Sequence, residues 1–171
     1  LADKGNVLSL GTFSKILAPG LRLGWIQASP AIMKTLLASG ALVSGGNFNH
    51  FTSHVVRQLM ESGELAAFVG QLRARYTERV GAMDAALRKN LSGIARWSRP
   101  GGGYFFWLEL PEGADAGTLE AAARAAGTGF LPGSFCSLDG GLKHCLRLSF
   151  AHYGVPDIHE GVARLRRALI K

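Results

Sequence analysis

Cysteine is scarce in the 171 residues: only Cys136 and Cys145, nine positions apart. Two cysteines at that spacing form neither a disulfide framework nor a CxxC redox pair or zinc knuckle, so both are expected as small buried hydrophobes. Long apolar runs are missing too. No stretch approaches the roughly 18 to 20 residues that span a bilayer, and the N-terminus lacks the basic-then-apolar layout of a signal peptide. The expectation is a cytoplasmic protein with no membrane partner. Acidic residues are few, 12 against 19 Lys plus Arg, for a formal charge of +7. The arginines are scattered rather than gathered in a tail, so the surplus does not point to nucleic acid. Metal-ligand clusters are also lacking. His50 and His54 stand i, i+4, but Phe51 occupies the position where a zinc protease has its glutamate, and no metal site is expected. With 47% hydrophobic and 18% charged residues, what remains is the composition of a globular fold.

Leu1 rather than Met opens the sequence and a strand-like run follows almost at once, which suggests part of a longer polypeptide. Stretches 6–10 and 23–28 read as short strands buried on both faces, flanking a glycine-containing stretch at 11–24. Ser29 is a candidate N-cap and Pro30 fits a first helical turn, giving a helix over 31–38. A Gly/Ser/Asn segment at 44–49 separates it from a helix over 52–61. From Glu64 the apolar residues Leu65, Phe68, Val69, Leu72, Tyr76, Val80, Met83 and Leu87 recur every three or four positions, predicting one long amphipathic helix over about 64–90. Arg73, Arg75, Arg79, Arg88 and Lys89, among Glu78 and Asp84, read as its solvated face. Beyond it, 104–110 and 145–150 are β-rich, 119–126 is a small-residue helix, and Pro156 opens a last helix with Ile158, Val162, Leu165 and Leu169 on one side. Arg164, Arg166, Arg167 and Lys171 stand near its C-terminus, where the macrodipole favours cations. Strands alternating with helices argue for an α/β or α+β architecture. The predicted organisation is the end of one domain at 1–75 and a small second domain at 76–171, joined by the long helix.

The chemistry concentrates between the first two strands. Residues 11–25 read Gly-Thr-Phe-Ser-Lys-Ile-Leu-Ala-Pro-Gly-Leu-Arg-Leu-Gly-Trp. A lysine held there beside Arg22 and away from bulk water would have its amine pKa lowered and could attack an aldehyde. The hydroxyls of Thr12 and Ser14 with the Arg22 guanidinium make a phosphate cradle. An aldehyde that carries a phosphate is pyridoxal 5'-phosphate. The triple glycine at 101–103 has no P-loop lysine or hydroxyl and reads as a turn.

This stretch resembles the fold-type-I pyridoxal-phosphate-dependent aminotransferases, in particular the branch with aminoadipate, kynurenine and aromatic aminotransferases and the aminotransferase-like half of certain transcription regulators. The family motif, Ser/Thr-x-Ser-Lys followed by Pro-Gly-x-Arg-x-Gly-aromatic, is matched from Thr12 to Trp25. The likeness continues through Pro100–Trp107, the loop Pro132-Gly133-Ser134-Phe135 and the strand Leu146-Arg147-Leu148-Ser149-Phe150. It implies that Lys15 is the catalytic Schiff-base lysine, that Thr12, Ser14, Lys15 and Arg22 bind the cofactor, and that Arg147 binds the substrate α-carboxylate. Strand alternation sets Arg147 on the face opposite Leu146, Leu148 and Phe150, on what reads as an edge strand. The implied fold is the end of a large three-layer α/β domain plus a small α+β C-terminal domain. The implied function is transfer of an amino group from an amino acid to a 2-oxo acid by a homodimer.

The resemblance also places the aspartate facing the pyridine nitrogen and the ring-stacking aromatic upstream, in an N-terminal half that these residues lack. The chain alone is therefore expected not to transaminate. Two alternatives share the motif: the cofactor-binding effector domain of a winged-helix transcription regulator, which alone would bring nucleic acid as a partner, and a pyridoxal-phosphate-dependent lyase. Residues 47–52 lie near the dimer interface and the phosphate in the family, with no role assignable to any one of them from the sequence.

Overall fold

The computed structural model describes residues 5–45 and 48–170; the expectations that involve Gly46, Asn47 and Lys171 lie outside them. The chain divides into two compact units, Leu1–Arg73 and Ala74–Lys171. Among the described residues no helix is long and apolar enough to cross a membrane.

In the first unit β1 (Leu8–Thr12) and β2 (Gly24–Ala28) pair antiparallel, with Leu8 opposite Ala28 and Thr12 opposite Gly24. The residues between them form the loop that carries Lys15. Helix α1 (Pro30–Leu37) begins at Pro30, whose fixed φ suits a first turn that has no hydrogen bond to lose; Ser29 stands at the N-cap position, but its side chain makes no capping bond. Helices α2 (Gly40–Gly45) and α3 (His50–Glu61) follow. Part of the expected Gly/Ser/Asn spacer is thus helical.

These two strands, read as buried on both faces within a sheet that is expected to lie mostly outside these residues, are exposed here. Leu10 is 73% exposed, and Leu8, Trp25 and Ile26 are exposed as well. The reason is geometric: two paired strands satisfy only their facing edges and leave both faces uncovered, and the described residues contribute no further strand to this sheet.

Helix α4 (Glu64–Leu91) is the long helix of the sequence pattern. Its apolar stripe is not uniformly buried. Leu65, Val69 and Leu72 are half-buried and Phe68 is exposed, whereas Val80, Met83, Leu87 and Leu91 enter the core of the second unit.

That core is one face of a four-stranded antiparallel sheet in the order β3-β4-β6-β5, comprising β3 (Arg96–Trp97), β4 (Phe105–Glu109), β5 (Leu131–Pro132) and β6 (Cys145–Ser149). Phe106 and Leu108 on β4 and Leu146 and Leu148 on β6 point to one side, where they meet Leu87 and Leu91 of α4, Ala116 and Ala123 of α5 (Ala116–Ala125), and Ile158, Val162 and Leu165 of α6 (Val155–Leu169). A period of two in the strands and about 3.6 in the helices brings these apolar sets together. Each fully buried leucine contributes about 1.5–3 kcal/mol by leaving water. Asp115 caps α5 by accepting the Gly117 N–H at 2.8 Å.

Three details correct the sequence-based picture. Strand β6 lies between β4 and β5, so Arg147 sits on an interior strand rather than an edge. Asp84 is buried rather than solvated, and Arg79 turns inward to donate to the Ala151 carbonyl. Cys145 is buried as expected, its thiol pKa raised first by desolvation, while Cys136 is exposed in the short 3-10 turn Gly133–Cys136.

Candidate functional site

The loop between β1 and β2 is organised around Phe13. Its side chain is buried, with its ring centroid 4.7 Å from that of Trp25 on β2, and its N–H donates to the Leu23 carbonyl at 3.1 Å. Its own carbonyl accepts from the N–H groups of Ile16, Leu17 and Ala18 at 3.3, 2.9 and 3.2 Å, winding residues 13–18 into a tight turn. With Phe13 turned inward, Thr12 and Lys15 stand at the surface. Lys15 is exposed among the residues of this chain, so the withdrawal from bulk water expected of it is not supplied by them.

Thr12 and Ser14 are brought together. The Thr12 hydroxyl lies 3.0 Å from Ser14 Oγ and 3.3 Å from the Leu23 carbonyl, and Thr12 Oγ1 accepts the Ser14 N–H at 3.1 Å. Such short polar side chains fold a loop by bonding its own backbone. Farther along, the 3-10 turn Pro19–Leu21 delivers Arg22, whose backbone is left-handed at φ 49°, ψ 42°. Only glycine adopts that region without steric penalty, so an arginine there must be held by its surroundings. The Arg22 N–H and Nη1 each lie 3.4 Å from the Pro19 carbonyl. Asn49, just ahead of α3, reaches across: its Nδ2 donates to the Leu21 carbonyl at 2.7 Å and lies 3.4 Å from that of Arg22. No spacing rule connects an asparagine to a turn so distant in sequence, so Asn49 could not be assigned this contact beforehand.

Two hydroxyls, an ammonium and a guanidinium on one short loop make a donor set for an anion, and the primary amine adds a nucleophile. That combination fits a ligand bearing both a phosphate and an aldehyde.

Arg147 belongs to the second unit. It is half-buried on the sheet face opposite the core, with Trp107 and Leu131 as its cross-strand partners. Its Cζ lies 4.0 Å from the centroid of the Phe105 ring. The 3-10 turn Gly133–Cys136 follows β5 and presents Phe135 to solvent.

A separate cavity of about 660 Å³ opens between α6 and the chain leading into β5, lined among others by Phe130, Leu148, Tyr153 and Asp157. It contains none of the residues singled out from the sequence as cofactor or substrate ligands. Its two arginines are engaged in helical ion pairs, Arg124 with Glu120 at 2.6 Å and Arg164 with Glu160 at 2.8 Å.

A family model described as aminotransferase class I and II matches residues 1–165. Aromatic-amino-acid aminotransferase 1 of Thermococcus litoralis is 34% identical over 167 residues, which are 98% of this chain and 40% of that protein. Among solved structures, LysN, the α-aminoadipate aminotransferase of Thermus thermophilus complexed with N-(5'-phosphopyridoxyl)-L-leucine, superposes with a TM-score of 0.84 at 34% identity, covering 95% of this chain and 41% of that one. The HTH-type transcriptional regulator TauR of Rhodobacter capsulatus is 32% identical over 170 residues, covering 96% of this chain and 34% of the regulator. The chain thus spans about two fifths or less of the length of these proteins.

Proposed function

Because the chain belongs to the class I and II aminotransferase family, we propose that it is the lysine-bearing C-terminal portion of a pyridoxal-phosphate-dependent aminotransferase. In this proposal residues 1–75 end its large domain and 76–171 form its small one. The observation that carries the proposal is the single loop on which Thr12, Ser14, Lys15 and Arg22 stand, built by the burial of Phe13 and the β1–β2 pairing.

Thr12, Ser14 and Arg22 hold the cofactor phosphate through hydroxyl and guanidinium donors. The bound cofactor supplies an electron sink that makes the α-proton of an attached amino acid acidic. Lys15 Nζ would anchor the cofactor as the nucleophile toward its aldehyde, and the same amine would carry the α-proton of the substrate as base and then acid. Arg147 orients the substrate by gripping its carboxylate, a planar two-pronged donor meeting a planar two-pronged acceptor. The substrates are an amino acid and a 2-oxo acid, and the working assembly is a homodimer of the intact polypeptide.

The test is covalent. The intact polypeptide is incubated with pyridoxal 5'-phosphate, reduced with borohydride, digested and mapped by mass. One adduct on Lys15, absent from Lys15→Ala, is the expected result; an adduct retained in that variant overturns the assignment. A second reading is favoured by the match to TauR: the same loop in the effector domain of a regulator. Amino-group transfer to 2-oxoglutarate by the wild-type polypeptide decides for the enzyme. A cofactor adduct without turnover, with binding to duplex DNA, decides for the regulator.

A further inference from the structure

We infer that Asn49 is a positioning residue for the phosphate end of the site, acting through Arg22; this rests on the proposal that Arg22 holds the phosphate. The residue ahead of a helix is a position where asparagine ordinarily turns its side chain to accept an N–H of the first turn. Asn49 makes no such capping bond. Its amide instead reaches back 28 residues and donates to the Leu21 carbonyl at 2.7 Å, with the Arg22 carbonyl 3.4 Å away. The two carbonyls it meets flank the left-handed Arg22 backbone, the one described non-glycine residue besides Leu142 with a positive φ.

The local turn supports this conformation only weakly. Leu21 N–H to Ala18 and Arg22 N–H to Pro19 are both at 3.4 Å, the long end of the hydrogen-bond range. The 2.7 Å Asn49 contact is the shortest of the set, and it ties the turn to α3 rather than to itself. Such a strained backbone persists when its surroundings fix it. With the amide removed, Arg22 relaxes toward an ordinary φ and its side chain leaves the turn in a different direction, so the guanidinium is lost to a phosphate bound on this loop. The aldehyde end of a ligand is unaffected, because Lys15 sits in the separate turn wound on the Phe13 carbonyl.

This separation of ends defines the experiment. Binding of pyridoxal 5'-phosphate and of pyridoxal, which has the aldehyde without the phosphate, is measured by absorbance titration on the intact polypeptide. Wild type, Asn49→Ala, the near-isosteric Asn49→Leu, Arg22→Ala and the double variant Asn49→Leu/Arg22→Ala are compared. Both Asn49 variants are expected to weaken pyridoxal 5'-phosphate binding by about tenfold, the loss of a hydrogen bond or two, while pyridoxal affinity stays at the wild-type value. The double variant should bind no worse than Arg22→Ala alone. Equal loss for both ligands, or additive losses in the double variant, overturns the positioning role while the Lys15 adduct of wild type still stands. No adduct on Lys15 of the wild type with either ligand overturns the site itself and the role of Asn49 with it.

Discussion

The guanidinium of Arg147 lies over the face of Phe105, Cζ to ring centroid 4.0 Å, across the β4–β6 pairing. Trp107 is the residue directly opposite Arg147 and Phe105 pairs with Ser149, so the contact is the diagonal one, two residues along the neighbouring strand on the same face. A cation seated on a ring is attracted by its quadrupole and loses rotamer freedom, leaving the edge of the guanidinium for a planar acceptor.

If Arg147 holds the substrate carboxylate, Phe105 sets its direction. Replacing Phe105 by Leu removes an attraction of about 0.5–2 kcal/mol, and KM for the amino acid should rise several-fold, with kcat changed less. Phe105→Tyr keeps the ring and should retain the wild-type KM. Steady-state kinetics on the intact polypeptide checks this. An unchanged KM in Phe105→Leu, alongside a raised one in Arg147→Ala, would falsify the role given to the ring and leave that of the arginine intact.

The acid limb of the stability curve should carry the signature of Asp84. Its carboxylate accepts the Trp97 indole N–H at 2.9 Å and pairs with Arg88 at 3.0 Å. These hold its pKa below the ordinary carboxylate value, the Trp97 bond acting most strongly, with burial opposing. A depressed carboxylate stabilises the fold fully above the unfolded pKa of about 3.9, and the contribution is lost as pH falls through the lower folded value. Asp84→Leu leaves the half-buried indole N–H without its partner and should lose about 1–3 kcal/mol near neutral pH. Its stability should also fall less steeply below about pH 4. Urea unfolding followed by tryptophan fluorescence at several pH values measures both. Parallel acid limbs in wild type and variant are incompatible with this assignment.

What the sequence made legible follows from how local each signal is. Helices α4 and α6 announce themselves because their apolar spacing is written within the element, and their ends fall within a few residues of the pattern. The division of β6 into a core face with Leu146 and Leu148 and an opposite face with Arg147 is legible for the same reason. Long-range pairing is not local. Nothing in the segment 145–150 says that Leu131–Pro132 joins its free side, so an interior strand reads as an edge. Two-residue strands such as β3 and β5 carry no periodicity at all. Leu10 and Ile26 look buried because they are apolar, yet burial depends on what lies over the sheet, and a strand pair alone provides no cover. The Lys15 loop was found by its residue types in order; that Thr12 meets Ser14 follows from proximity, whereas the reach of Asn49 to Leu21 follows only from the fold.

Gly11 on β1 and Gly24 on β2, either side of the loop, show what a missing Cβ is for, and they supply the last prediction. A Cβ built on Gly11 would lie 2.1–2.6 Å from three atoms of the Trp25 indole, and one on Gly24 would lie 2.7 Å from the Gly11 carbonyl oxygen. No contact at these distances survives, so something must move. At position 11 the obstacle is a side chain, and Trp25 swings away; at position 24 it is backbone, and the β1–β2 ladder itself must open where Thr12 faces Gly24. Gly11→Ala should therefore separate Trp25 from Phe13, now 4.7 Å apart, and change the tryptophan emission as the indole loses its ring neighbour. Its stability cost is about 1–3 kcal/mol, the range for forcing an extra carbon into packed surroundings. Gly24→Ala should cost at least as much and, by parting the end of β1 that carries Thr12 from the start of β2, two residues past Arg22, should weaken phosphate-dependent cofactor binding more than Gly11→Ala does. Paired fluorescence and ligand titrations on the two variants provide the measurement. Equal effects on cofactor binding would mean that the strand ends tolerate the displacement and that the loop, not the ladder, fixes the position of its donors.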